Sequence, residues 1–219
     1  IAKPKDLAGL HIAVTAGPTQ EPLDPVRYLT NHSTGKMGYA VARAAAMRGA
    51  DVTLIHGPTA LPPVKFTEDV PITTAQDMYE AVTSRFADMD ILVMAAAVAD
   101  YRPATVADDK IKKKDGDLSI PVERTADILG TIGPRKTKQF LCGFSMETRD
   151  MVENSAAKLK KKNLDMVVAN NLKVSGAGFG VDTNVVTFIT PDGTRELPLM
   201  SKADVADAIL DEILKRRGH

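Results

Sequence analysis

The sequence has no tryptophan, a single cysteine and only 5% aromatic residues of any kind. A general nucleic-acid binder needs excess positive charge and usually aromatic platforms for base stacking. Here 28 Lys and Arg balance 28 Asp and Glu, the net charge is zero, and no nucleic-acid partner is expected. Cys142 has no second cysteine to pair with, which points to a reducing, cytoplasmic setting. Every apolar run falls short of the roughly 20 residues that span a bilayer, so no membrane association is expected. His11, His32, His56 and His219 are too scattered to form a metal-ligand motif.

What is present is an average globular composition, 44% hydrophobic and 26% charged over 219 residues, enough for one large domain with a proper core. No repeat or linker divides residues 1–219. The start at Ile1, without a signal-like segment, reads as that of a piece of something longer.

His11-Ile12-Ala13-Val14-Thr15-Ala16 has the pattern of a buried strand, residues 37–48 that of a helix, and Asp51-Val52-Thr53-Leu54-Ile55 that of a second strand. Further strands are predicted at 70–73, 91–97, 139–144 and 165–169, with helices at 75–88 and 147–162. Strands apolar throughout, alternating with polar helices, predict an α/β fold: a Rossmann-like, doubly wound, mostly parallel sheet covered on both faces. Residues 184–198 read as a β-hairpin around Pro191-Asp192-Gly193, and residues 202–217 as a closing helix. Residues 101–125 contain the run Lys110-Ile111-Lys112-Lys113-Lys114 and a strand-like stretch at 118–122, and read as a basic flap. Residues 176–180, rich in glycine, open no helix and read as a flexible connection.

Ligands of doubly wound sheets bind beyond the carboxyl ends of the strands. The first loop there holds Asn31-His32-Ser33-Thr34-Gly35-Lys36-Met37-Gly38, small and polar residues leading into a helix. A phosphate cradle and a helix start capped by Ser33 or Thr34 fit this pattern equally well. It is not a P-loop, because Met37 follows Gly35-Lys36 and the earlier glycine would fall at Thr30. Lys158 and Lys162 share a helix face and could meet a polyphosphate, whereas Lys160 and Lys161 read as solvated. The flap lysines are either solvated or a clamp on phosphate. Asp100 ends a strand loop, where a carboxylate accepts ribose hydroxyls, holds a metal or caps a turn. A nicotinamide oxidoreductase is the rival reading. Against it, Ser33 stands where the fingerprint has its first glycine, the second strand ends in Ile55-His56 without an acid, and no tyrosine has a lysine four residues later.

The stretch from Ala16-Gly17-Pro18-Thr19 through Glu21-Pro22-Leu23-Asp24-Pro25-Val26-Arg27-Tyr28 to Lys36-Met37-Gly38 closely resembles the bacterial phosphopantothenoylcysteine synthetase domain of coenzyme A biosynthesis. Ala95-Ala96-Ala97-Val98-Ala99-Asp100-Tyr101-Arg102, Lys110-Ile111-Lys112-Lys113, Gly143-Phe144-Ser145-Met146-Glu147-Thr148 and Lys162-Asn163-Leu164-Asp165 resemble its later blocks, in order. The resemblance implies one ligase domain over residues 1–219, with CTP, 4'-phosphopantothenate and L-cysteine as substrates and magnesium on the triphosphate. Such domains form cytoplasmic homodimers that share active-site residues. Many are fused to an upstream flavin-dependent decarboxylase, and no flavin is expected in this chain. The implied roles are Lys110 at the triphosphate and in the first transition state, and Asn31, Arg27 and Ala97 at the acyl intermediate. Ser33, Thr34, Gly35, Lys36, Met37 and Gly38 would cradle a phosphate. Asp100, Ala126, Asp127, Ile128, Leu129, Phe144, Lys158 and Lys162 would form the CTP site, with Ala126 replacing a proline common in relatives. The metal ligands stay unassigned. A nucleotide-binding module without chemistry is the third functional class.

Overall fold

The computed structural model describes residues 3–113, 116–147, 151–171 and 180–218. Among them, eight strands form the main sheet. They are β1 (His11–Ala16), β2 (Asp51–His56), β3 (Glu68–Pro71), β4 (Ile91–Met94), β5 (Phe140–Glu147), β6 (Met166–Asn171), β7 (Val186–Thr190) and β8 (Gly193–Glu196). Their order is β3-β2-β1-β4-β5-β6-β7-β8; the first six are parallel, and the β7–β8 hairpin adds antiparallel to β6. This is the doubly wound arrangement the alternating apolar runs predict. Its strand order reverses between β1 and β4.

Both faces of the central strands are buried, which is why those strands are apolar without alternation, while the edge strands β3 and β8 are exposed and polar. Val14, Leu54, Val93 and Val168 pack on one face with α1 (Lys36–Met47) and α5 (Lys202–Arg217). Ala13, Leu92, Leu141 and Val167 pack on the other with α2 (Ala75–Arg85) and α3 (Ile128–Ile132), and Leu159 of α4 (Met151–Lys161) joins that cluster. No helix among the described residues is long and apolar enough to cross a membrane.

Several boundaries differ from the sequence pattern, each because tertiary pairing decides them. β3 begins at Glu68 because it pairs with β2 from Thr53↔Glu68 to His56↔Pro71. The helix predicted to Asp88 is α-helical to Arg85 and tightens into a 3₁₀ turn over Phe86–Asp88. β4 stops at Met94, and after a break a single parallel bridge, Pro18 to Ala97, resumes the register it keeps with β1. β5 continues through Glu147, where a helix was predicted to start, because β6 pairs with it as far as Asn171. Within the flap, the predicted strand at 118–122 is replaced by Val122–Arg124, paired antiparallel with Tyr101–Pro103. Lys114 and residues 176–179 lie outside the described residues.

Two glycines let backbone approach backbone beside the strand-order reversal. A Cβ on Gly38 would stand 2.6 Å from the Ala16 Cβ and 2.8 Å from the Thr15 carbonyl oxygen, so α1 can seat on β1 only without one. At Gly57 a Cβ would fall 1.7 Å from the Pro18 carbonyl oxygen.

Arg48, the C-cap of α1, is 4% exposed and joins three segments. Its guanidinium donates to both Asp6 oxygens at 2.9 and 2.6 Å, and to Asp211 of α5 at 2.7 Å. Arg48→Met should lower unfolding free energy near pH 7 by about 1–2 kcal/mol in urea titrations, since solvent at both carboxylates screens part of the gain. The Arg48 hydrogen bond holds the Asp6 carboxyl below its usual range. That stabilisation is present above the unfolded carboxyl's pKa, near 4, and is lost as pH falls through the lower folded value. The gap between wild type and variant should therefore narrow in acid, and a gap independent of pH would remove Asp6 from the account.

Candidate active site

The first loop and the loop after β4 are stitched together where β1 and β4 part. The Ala97 N–H donates to the Gly17 carbonyl at 2.9 Å and the Thr19 N–H to the Ala97 carbonyl at 3.2 Å. Asn31 adds a side-chain clasp: its Nδ2 donates to the Ala97 carbonyl at 2.7 Å, and its Oδ1 accepts from the Ser33 N–H at 3.1 Å. One amide hydrogen of Asn31 is thus committed to holding the loop. Neither predicted cap, Ser33 or Thr34, occupies the cap position: the N-cap of α1 is Gly35, at φ 79°, and it makes no side-chain cap bond. The first-turn N–H groups thereby retain their partial positive charge at the cavity edge.

Two adjoining cavities open at this end of the sheet. One, about 440 Å³, is lined by Asn31, Ala97 and the whole Ser33-Thr34-Gly35-Lys36-Met37-Gly38 stretch. The other, about 460 Å³, is lined by Ala126, Asp127, Ile128, Leu129 and Lys162. Asp100, Phe144 and Lys158, together with Ala96 and Val98, belong to both and form the common wall. The structure thus gathers residues from five separate stretches of sequence into one two-part crevice.

Lys158 and Lys162 are placed by local partners. Lys158 Nζ donates to the Phe144 carbonyl at 2.6 Å, and Lys162 Nζ pairs with Asp127 at 2.9 Å. Asp127 also caps α3 by accepting from the Gly130 N–H at 2.9 Å. Burial opposes ionisation of Asp127, but the Gly130 bond and the Lys162 charge outweigh it and hold the carboxyl below its usual range. Lys160 and Lys161 are exposed, as predicted. Among the described residues no three His, Cys, Asp or Glu side chains gather as a metal cage. Asp100 and Asp127 are the carboxylates lining the second cavity.

Arg27 and Lys110 line neither cavity. Arg27 instead pairs with Asp24, whose side chain is fully buried, and donates to the Ile111 carbonyl at 2.9 Å. Asp24 also accepts from the Ile111 N–H at 3.1 Å, so this pair anchors the flap one residue after Lys110. With the Arg27 hydrogen bond as the largest influence, the Asp24 carboxyl is held far below the usual carboxylate range. Cys142 is wholly buried, and its thiol is pushed far upward by that burial, as suits an inert core residue.

The sequence reading missed Lys202, Asn170 and Asn184, all lining the first cavity. Lys202 is 7% exposed, and its ammonium donates to the Val181 and Thr183 carbonyls. Burial, and then the neighbouring Lys36 charge, lowers its pKa against the pull of Asp182. A signal existed for Asn170, a polar residue ending the apolar run Met166-Val167-Val168-Ala169 at a strand's carboxyl end. None existed for Lys202, which reads as an ordinary first-turn residue of α5.

Comparison with known proteins extends this description. A coenzyme A biosynthesis bifunctional protein CoaBC of Bacillus subtilis (strain 168) is 52% identical over 209 residues, covering 94% of this chain and 52% of that protein. The corresponding protein of Escherichia coli (strain K12) is 45% identical, with 96% and 53% covered. The chain therefore spans about half the length of the curated relatives it matches. The crystal structure of a CoaBC C-terminal domain superposes with a TM-score of 0.82 at 45% identity, covering 94% of this chain and 95% of the other. At 18% identity and a TM-score of 0.81, a mutant Cab2 protein in complex with phosphopantothenate-cysteine shares the fold. The family model described as the DNA/pantothenate metabolism flavoprotein C-terminal domain matches residues 7–216, all the elements that build the two cavities included, and the chain belongs to that family.

Proposed function

We propose that this chain is the phosphopantothenate–cysteine ligase domain of a longer, cytoplasmic coenzyme A biosynthesis protein, joined there to a flavin-dependent decarboxylase. One observation carries the reading: two cavities share a wall of Asp100, Phe144 and Lys158, one lined by the residues assigned to CTP except Lys110 and the other by those assigned to the acid except Arg27. Two bound substrates can react only from such adjoining sites.

In the first half-reaction the carboxylate of 4'-phosphopantothenate attacks the α-phosphorus of CTP and pyrophosphate leaves, giving an acyl-cytidylate. In the second, the amine of L-cysteine attacks the acyl carbon, CMP leaves and the ammonium proton is released. Lys158 and Lys162 face the triphosphate, and Lys110 offsets charge as pyrophosphate departs. Because Lys110 lines neither cavity of its own chain, it reaches the triphosphate by closure of the flap or from the other subunit of a homodimer. The uncapped start of α1, with Lys36, receives the phosphate of the acid. Asn31 Nδ2, with one hydrogen on Ala97, turns its second toward the oxyanion of the amine attack. Magnesium would ride on the triphosphate beside Asp100 and Asp127, neutralising charge on the leaving group.

The direct test is pyrophosphate release across the four nucleoside triphosphates. Release is expected with CTP, only when 4'-phosphopantothenate is added. A nicotinamide absorbance change would instead select the oxidoreductase, and CTP binding without turnover a module without chemistry.

Lys158→Ala and Lys162→Ala should each weaken CTP binding by about 1.5–3 kcal/mol, the worth of one charge-assisted hydrogen bond. Lys160→Ala and Lys161→Ala should be nearly silent. Equal losses at all four positions in equilibrium titrations would reduce the site to general basicity.

The half-reactions should separate by mutation. Lys110→Gln should abolish pyrophosphate release while leaving the unfolding transition unchanged. Asn31→Asp replaces a donor with an anion facing the Ala97 carbonyl, costing the second step about 2.7–4 kcal/mol or more. That variant should release pyrophosphate once and accumulate the acyl-cytidylate, detected by mass spectrometry with cysteine present. Normal cysteine turnover by Asn31→Asp, or no pyrophosphate release at all, would show that Asn31 does not divide the steps.

A further inference from the structure

Two carboxamides in the first cavity are buried and incomplete. Asn170 is 7% exposed and Asn184 2%, and the Oδ1 atom of each has no hydrogen-bond partner. Buried acceptors without a donor are rare because desolvation is not repaid. Their backbones are held firmly. Asn170 is paired in the sheet with Met146 on one side and Val186 on the other, and Asn184 is paired with Met200. Side chains alternate along β6, so Asn170 shares the face of Val168, which packs with α1 and α5. At the strand's carboxyl end that face gives onto the cavity that Asn170 lines. Asn184 approaches it from the α1 side, with its Nδ2 facing the Met37 sulfur at 4.0 Å and its Oδ1 left over.

We infer that Asn170 and Asn184 are specificity-determining residues whose Oδ1 atoms accept the hydroxyl and amide hydrogens of the acid substrate. The inference rests on the proposed function and deepens it. Lys36 and Lys202 line the same cavity, so its ligand is an anion that also carries hydrogen-bond donors. 4'-Phosphopantothenate has that chemistry: a phosphate monoester and a carboxylate at its ends, and between them one free hydroxyl and one secondary amide N–H. Two donors meet two unfilled acceptors. Burial of Lys202 beside Lys36 weakens its ammonium, and an anion in the cavity would relieve that repulsion. Ordered water is the competing occupant of such oxygens.

The experiment measures kcat/KM for pyrophosphate release from CTP with three acids. These are 4'-phosphopantothenate, its analogue with hydrogen replacing the hydroxyl, and its analogue with an ester oxygen replacing the amide N–H. The wild-type protein should lose about tenfold or more with each analogue, because a site built to take a donor rejects a ligand lacking it. Asn170→Ala and Asn184→Ala should each lose a similar factor with the parent acid. Each should then stop distinguishing the parent from one analogue while still rejecting the other, with the KM for CTP within about twofold of wild type. Wild-type protein that treats all three acids alike would overturn the inference, independently of how any variant folds, and would assign the oxygens to water. Variants that keep both discriminations would overturn it as well. No release with the parent acid would overturn the proposed function together with this inference.

Discussion

Backbone packed directly on backbone at the carboxyl end of β1 is the constraint from which the site follows. Gly38 lets the first turn of α1 lie against Thr15 and Ala16, and Gly57 lets the turn after β2 lie against Pro18. With those contacts made, the long first loop has one course, over the end of β1 to Ala97, where Asn31 secures it. The helix start then falls where β1 and β4 part, with a glycine at its cap and its N–H groups uncommitted to any capping side chain. A side chain at either glycine would move the cavity wall before it altered any charge within it.

Charge is distributed locally although it cancels over the chain. Lys162 serves one cavity, Lys36 and Lys202 the other and Lys158 both, each set tempered by nearby carboxylates rather than neutralised by them. Asp127 holds Lys162, and Asp182 pairs with Lys36 at 2.7 Å. Lysines tied down in this way lose little conformational freedom when an anionic ligand arrives, so more of the interaction appears as affinity. Asp100 at the common wall puts one carboxylate between the two sets.

The flap joins this framework through a buried carboxylate and its half-exposed arginine. Asp24 accepts from Arg27 and from the Ile111 N–H, and the Ala107 N–H donates to the Leu23 carbonyl at 3.0 Å. Lys110 is held at its base although it lines neither cavity. Arg27, which resemblance assigns to the acyl intermediate, is in this chain a strut between loop and flap. Its side chain is 42% exposed, so part of it remains open to other partners.

The antiparallel hairpin was legible in the sequence from its turn at Pro191-Asp192-Gly193, and the α/β class and the parallel sheet because both faces of the central strands are buried. That condition writes itself into Ile12–Val14, Ile91–Met94 and Met166–Ala169 as unbroken apolar runs. Strand ends were not legible where pairing continues over polar residues, as at Glu147 and Asn171, or stops within apolar ones, as at Ala95-Ala96-Ala97. The motif residues from Asn31 to Gly38, and Lys158 with Lys162, could be singled out because local spacing alone places them on one loop or helix face. Only the tertiary structure could bring Asn170, Asn184 and Lys202 to Asn31, since chain segments far apart in sequence meet through sheet order and helix packing, which no local pattern encodes. Sequence by itself determined which segments become strands and helices, through hydrophobic burial. The tertiary structure decided which polar residues share a cavity, because that depends on the meeting of strand ends from opposite sides of the strand-order reversal.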